Sequence, residues 1–278
     1  MTAVSPPQGF RRQESGRAKI DRQDLVEALE VANRACDLAR AEILPRFRNV
    51  EIETKSDGSP VTEADRAAEL VIRSVIEGAF PDDAILGEEF GATDVSDKNG
   101  KPSRRRWIID PIDGTIAFAR GIPLFSTLVA LVVDDEPVMG VIDLPAVGDR
   151  IGGVRGGGLF RGEERLSVSK TRDLDDALVC HGDLYCFKDA GLLSVFDRMA
   201  QTISKLRGYT DAFGHLLVLS GAADAMVDCG LRPWDAAVAR ILTLEAGGTC
   251  WVREREEGQQ LDLVIGNDMI VGALGELF

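Results

Sequence analysis

A chain of 278 residues with 45% hydrophobic content has enough apolar material for a sizeable core, as one large α/β domain or two closely packed halves. Its formal net charge of -14 offers no basic stripe to a nucleic acid backbone and repels anionic lipid surfaces, so neither nucleic acid nor membrane is an expected partner. The same field opposes an anionic substrate unless cations are supplied locally.

Residues 1–20 are polar, lack an apolar signal segment and are expected to form a flexible tail. From Asp24 to Leu44, the recurrence of Leu25, Leu29, Ala32, Cys36 and Ala39 predicts a core-facing helix. A short extended piece ends near Thr54, and the turn residues "KSDGSP" follow. A second helix is then expected, with Thr62 as its cap, Asp65 three positions on, and Leu70, Val71 and Val75 pointing inward. The stretch "AILGEEFG" reads as a short strand running into a charged loop, and Thr93 to Arg105 is polar and rich in breakers. Apolar runs at Ser126 to Val133 and Pro137 to Ile142, separated by "DDE", predict an antiparallel hairpin, and "GGVRGGGLFRGEE" adds further hairpin turns. Helices are expected over Ala212 to Ser220 and Ala236 to Ala246, the second stopped by Gly247 and Gly248. Strands in runs, then strands alternating with helices, predict an α+β half over 21–172 joined to an α/β half over 173–278. Cys36, Cys180, Cys186, Cys229 and Cys250 show no CxxC spacing and suit reduced core residues of a cytoplasmic protein.

Several chemistries drop out. No Lys-Ser or Lys-Thr follows the glycines around Gly156, so hairpin turns explain them better than a phosphate loop. His181 and His215 are too few for a zinc triad, and no GxSxG is present. What remains is carboxylate chemistry in "WIIDPIDGT", Trp107 to Thr115. An apolar strand delivers Asp110, Pro111 breaks it, and Asp113-Gly114-Thr115 stands where a helix can begin and offer N–H groups to a phosphate. The bland alternative, for the pair in isolation, makes Asp113 an N-cap and Asp110 a turn residue. The spacing of three separates it from aspartyl-nucleophile motifs, whose two carboxylates lie two apart on one face of a strand, and so favours water as the nucleophile. Glu88 and Asp235 are further candidates, each of which singly also suits a solvated loop or a cap. Carboxylates about 4 Å apart repel by roughly 4 kcal/mol at an effective dielectric of 20, so a shared site would need hard cations such as Mg²⁺, with Mn²⁺ as a substitute.

The segments "GEE" at Gly87 to Glu89, "WIIDPIDGT", and "PWDAAVARILTLEAGG" at Pro233 to Gly248 resemble, in order and separation, the three signatures of the inositol monophosphatase superfamily of metal-dependent phosphomonoesterases. The resemblance covers nearly all the chain after residue 20 and implies a layered αβαβα fold and a homodimer. It further implies two or three Mg²⁺ per active site. Glu88, Asp110 and the Ile112 carbonyl would hold the first ion, and Asp110, Asp113 and Asp235 the second. Glu88 and Thr115 would orient the attacking water, Asp65 would polarise the Thr115 hydroxyl, Lys55 would lie near the metals, and the N–H groups of Gly114 and Thr115, beside Asp113, would grip the phosphate. Inhibition by Li⁺ is a further implication.

Substrate choice turns on the leaving-group side. Asp211 in "YTDAFGHLLVLSG" replaces a small family residue, and Asp228 stands where the family more often has Glu. Together with Asp235 they suit a cationic leaving group, although Asp211 also suits a cap for the following helix. With "DGTIAF", "GVIDLPAVGDR" and "HGDLY", this pattern is similar to the histidinol-phosphate phosphatase branch, which implies L-histidinol phosphate as substrate. Ile116 and Ala117 depart from the polar residues usual beside the metals. Inositol monophosphate, fructose 1,6-bisphosphate and a nucleotide 3'-phosphate are the alternative substrates, and a non-catalytic metal or phosphate sensor is the alternative of another class.

Overall fold

The computed structural model describes residues 5–14, 20–54, 60–96, 100–255 and 259–278. The chain begins with a two-residue strand, β1 (Arg11–Arg12), and a long helix, α1 (Arg22–Arg46). A small pair, β2 (Glu53–Thr54) and β3 (Pro60–Val61), leads into α2 (Glu63–Ala79). Thr62 caps α2 through a full capping box with Asp65.

Eight strands follow: β4 (Ala84–Gly87), β5 (Gly91–Thr93), β6 (Arg105–Asp113), β7 (Ser126–Val133), β8 (Glu136–Leu144), β9 (Asp149–Val154), β10 (Gly158–Arg161) and β11 (Glu164–Leu166). The short helix α3 (Thr115–Ala119) interrupts them after β6. They form one sheet in the order β11-β10-β9-β8-β7-β6-β4-β5, mostly antiparallel, with β4 and β6 parallel. The glycines around Gly156 turn the β9–β10 hairpin. The remainder supplies β12 (Leu178–His181), α4 (Leu184–Asp189), α5 (Leu193–Thr202), β13 (Lys205–Arg207), α6 (Asp211–Leu219), β14 (Ala225–Leu231), α7 (Pro233–Glu245), β15 (Thr249–Arg255), β16 (Gln260–Gly266) and α8 (Asp268–Gly275). Its strands join β1 in a second sheet, ordered β1-β15-β16-β14-β12-β13.

The two sheets sandwich α6 and α7, giving five layers. Side-chain alternation explains how. On β6 and β7, Trp107, Ile109, Val129 and Leu131 pack under α1 and α2, whereas Ile108, Leu128 and Ala130 face α6 and α7. Both faces are buried, which is why these strands read as unbroken apolar runs. Val218, Ala236 and Ala239 of the central helices pack on Met226, Val252 and Leu263 of the second sheet, and α4, α5 and α8 cover its far side. No helix among the described residues is long and apolar enough to cross a membrane.

Two local expectations need correction. The segment before residue 20 is not wholly a tail. Arg11 and Arg12 pair with Val252 and Trp251 of β15, and Phe10 is buried against the Phe278 ring, so the open edge of the second sheet is covered. On α2 the inward stripe is Ala64, Ala68, Ile72 and Ile76, together with Glu69 and Arg73, while Leu70 is 54% exposed. Alanines at the contact let α2 lie close to α1, and the larger Leu70 falls on the outer side.

Asp143 of β8, with no exposed surface, accepts hydrogen bonds from Arg40 Nε at 2.8 Å and Arg150 Nε at 2.6 Å, tying α1 to β8 and β9. Removing one partner of a buried charge network is strongly destabilising. Asp143→Ala is expected to lose on the order of 3 kcal/mol in urea unfolding, because both arginines lose their shared acceptor.

Candidate active site

β6 solves a geometric problem. Strand alternation would send Asp110 and Asp113, three apart, to opposite faces of the sheet. The register against β7 slips between them: Asp110 pairs with Leu128, but Asp113 pairs with Ser126, so three steps on β6 match two on β7. The extra residue forms a bulge at Pro111 and Ile112 and returns Asp113 to the face that Asp110 occupies. Ser126 Oγ donates to Asp113 Oδ2 at 2.8 Å, and Thr127 Oγ1 donates to the Pro111 carbonyl at 2.9 Å, fixing the bulge.

That face looks toward the N-terminal ends of the central helices. Asp235 is the third residue of α7, not a residue ahead of it. Pro233 opens the helix, and Asp235 Oδ2 accepts the Arg232 N–H at 2.7 Å. One oxygen from each of Asp110, Asp113 and Asp235 lies within 4.8 Å of the others. Glu88, immediately after β4, is anchored by its N–H to the Ile109 carbonyl at 3.1 Å, and its charge is one of those that act on Asp110. The three sequence segments therefore converge on one place.

Electrostatics there are extreme. Burial, then Glu88, Asp113 and Asp235, hold the Asp110 carboxyl well above the usual range. Burial, then Asp211 and Asp235, do the same to Asp113. Asp235 is pushed up to about 7 by burial, with the Arg232 N–H opposing and Glu88 reinforcing. Asp110 Oδ1 is buried with no hydrogen-bond partner. An unpartnered oxygen among carboxylates wants a cation, and an all-oxygen donor set fits a hard divalent ion.

Beside the cluster, Thr115 Oγ1 lies 3.1 Å from the Ile112 carbonyl and 3.3 Å from Asp65 Oδ1. Asp65 is fully buried and its pKa is raised, chiefly by that burial. Its other oxygen accepts from Thr62, from N–H at 2.9 Å and from Oγ1 at 2.5 Å. Gly114, between Asp113 and Thr115, has φ +80°. Lys55 lies outside the described residues.

A cavity of about 230 Å³ opens next to Asp113 and Asp235 and is lined by Asp183, Asp211, Asp228 and His215, with no Lys or Arg among its described lining residues. The capping of α6 does not fall to Asp211. Asp113 Oδ2 accepts the Ala212 N–H at 2.8 Å, while Asp211 adopts φ 57°, a left-handed conformation costing about 1–2 kcal/mol, and takes a hydrogen bond from Thr210 Oγ1. Burial, then Asp228, raises its pKa. His215, which sequence analysis set aside with the zinc motifs, is buried with Nε2 3.2 Å from Asp228 Oδ2. The i,i+4 spacing of Asp211 and His215 on a predicted helix was the available signal. Asp183 lay inside the quoted "HGDLY" segment but was not singled out as a site residue.

In metal-free protein a carboxyl with a raised pKa keeps its proton in the native state, whereas the unfolded chain releases it near pH ~4. Stability is then full below that pH and declines as pH rises toward 7. The Tm of chelator-treated protein should fall across this window, and Mg²⁺ should remove the fall by taking the place of the protons. A Tm indifferent to Mg²⁺ throughout would count against cation binding at the cluster.

Comparison with known proteins agrees with this geometry. The model of the inositol monophosphatase family matches residues 21–274. The chain is 38% identical over 230 residues to a histidinol-phosphatase of Chlorobaculum parvum, covering 82% of this chain and 85% of that one. It is 33% identical over 257 residues to an inositol-1-monophosphatase of Mesorhizobium japonicum, covering 90% and 92%. Among solved structures, the extragenic suppressor protein suhB of Bartonella henselae superposes with a TM-score of 0.79 at 28% identity, over 90% of this chain and 98% of that one. By sequence match, layered fold and acidic cluster, the chain belongs to the inositol monophosphatase family and is a metal-dependent hydrolase.

Proposed function

We propose that this phosphomonoesterase is Mg²⁺-dependent and hydrolyses L-histidinol phosphate to histidinol and inorganic phosphate. The observation that carries the choice is the acidic lining of the cavity beside the metal cluster, which includes Asp183, Asp211 and Asp228. Histidinol carries an ammonium and an imidazole. Buried or strained carboxylates are costly beside a neutral polyol but gain charge-assisted hydrogen bonds to a cation. The similarity to the Chlorobaculum parvum histidinol-phosphatase supports the same choice.

In this mechanism Glu88, Asp110, the Ile112 carbonyl, Asp113 and Asp235 would hold the ions. Mg²⁺ bound there would supply positive charge that lowers the pKa of an attacking water and stabilises the departing alkoxide. The residues of the chain do the rest. Thr62 saturates one oxygen of Asp65, leaving the other to accept the Thr115 hydroxyl proton. Thr115 Oγ1 then presents lone pairs to the water, and Glu88 accepts a second hydrogen bond from it, orienting it for in-line attack. The N–H groups of Gly114 and Thr115 bind the phosphate oxygens. Asp211 and Asp228 take the cationic end of the substrate.

Phosphate release from histidinol phosphate and from inositol 1-phosphate, each with Mg²⁺ and with chelator, tests this directly. Chelator should abolish release, and kcat/KM should favour histidinol phosphate. Asp211→Ala should cut that preference about 10- to 100-fold, the worth of one hydrogen bond to a charged group. Preference for inositol phosphate would overturn the substrate assignment. Release from neither ester under any condition would favour a sensor.

A further inference from the structure

The turn that delivers Glu88 is fastened by a buried ion pair that the mechanism above does not use. We propose that Glu69 and Arg73, one helical turn apart on α2, are positioning residues that place the Glu88 carboxylate and so set the affinity of the acidic cluster for its divalent cation. The proposal rests on the metal-dependent part of the functional reading and is independent of the substrate.

Glu69 has no exposed surface and Arg73 is 7% exposed. Arg73 Nε donates to Glu69 Oε1 at 2.7 Å. The remaining contacts of the pair go almost entirely to the residues just after Glu88. Glu69 Oε2 accepts the Glu89 N–H at 2.7 Å, and Oε1 accepts the Phe90 N–H at 3.2 Å. Arg73 Nη2 donates to the Gly91 carbonyl, and Nη1 donates to Thr93 Oγ1 at 3.0 Å. On its other side the turn is tied to β6 by the Glu88 N–H on the Ile109 carbonyl. Each backbone group from residue 88 to residue 91 named here thus has a fixed partner, and the Glu88 side chain leaves a scaffold held from two elements.

Close approach is built in. A methyl group on Gly87 would lie 2.0 Å from Glu69 Oε1, so the residue before Glu88 must be glycine for the carboxylate to rest against the chain. Core stability alone would not call for such a pair, since an ion pair removed from water is often no better than apolar residues of the same volume. An apolar pair would leave the Glu89 and Phe90 N–H groups and the Gly91 carbonyl without these partners. Because Arg73 neutralises Glu69, the clamp also adds no net negative charge to a region already crowded with carboxylates.

The test compares full-length wild type, Glu69→Gln and Arg73→Lys after chelator treatment. Mn²⁺ binding in the absence of substrate is read from loss of the free-ion EPR signal, and Tm is measured alongside. Asp83→Asn serves as the control. Asp83 is a buried carboxylate at the opposite end of β4 and β6, accepting from Arg105 Nε and Trp107 Nε1 at 2.9 Å, and its loss should lower Tm without touching the Glu88 turn. Glu69→Gln and Arg73→Lys should weaken Mn²⁺ binding about 10- to 100-fold, the range typical when a partner that orients a metal ligand is altered. Asp83→Asn should leave Mn²⁺ affinity at the wild-type value. Arg73→Lys retains the Glu69 acceptor and keeps the test open should Glu69→Gln fail to fold. Wild-type affinity in the foldable clamp variants, or equal weakening in Asp83→Asn, would overturn the proposal. A wild-type chain that binds no Mn²⁺ would overturn the metal assignment beneath it, a result distinct from either.

Discussion

Carboxyl groups that repel one another are confined in one buried place, and the local peculiarities of the fold are what confine them. Three elements bring them: β6 carries Asp110 and Asp113, α7 carries Asp235, and the turn after β4 carries Glu88. The bulge after Asp110 and the hydroxyl of Ser126 hold Asp113, the N–H of Arg232 holds Asp235, and the turn after β4 holds Glu88. No single one of these is strong; a neutral hydrogen bond contributes about 1 kcal/mol net. Their sum must outweigh a repulsion that the protein relieves only by taking up protons or cations. The dependence of a phosphatase on metal is therefore already written into its unligated energetics.

What was legible in the amino-acid order follows from how local each feature is. The capping box of Thr62 and Asp65, the stop at Gly247 and the β7–β8 hairpin depend on residues a few positions apart, and they form where the pattern places them. The three acidic segments were recognisable as separate strings. That they meet depends on the order of strands and on a bulge, and neither is expressed in spacing. A separation of three between Asp110 and Asp113 does not by itself put their side chains on one face of a strand; the register against β7 does.

Other misses come from partners that spacing does not reveal and from the assumption that inward positions are apolar. Leu70 was expected in the core of α2, and the charged neighbours Glu69 and Arg73 were passed over, yet the charged pair is inside and the leucine outside. Phe10 was given to a tail because its partners, Arg253 and Phe278, lie at the other end of the chain. Burial of a charge is invisible until its partner is known, and here both partners sit on one helix at i,i+4 spacing.

Asp113 joins the two ends of the catalytic cleft. One of its oxygens receives both the hydroxyl of Ser126 and the first turn of α6, the helix that carries Asp211 and His215. On the proposed function, the metal cluster and the wall that would face the alcohol are thus bolted to a common pivot. On that reading, side chains along α6 could be exchanged to admit new alcohols at little risk to the ions. Slipping the helix by even one residue, by contrast, would unseat a ligand, so innovation in this scaffold is steered toward repainting that wall and away from moving it.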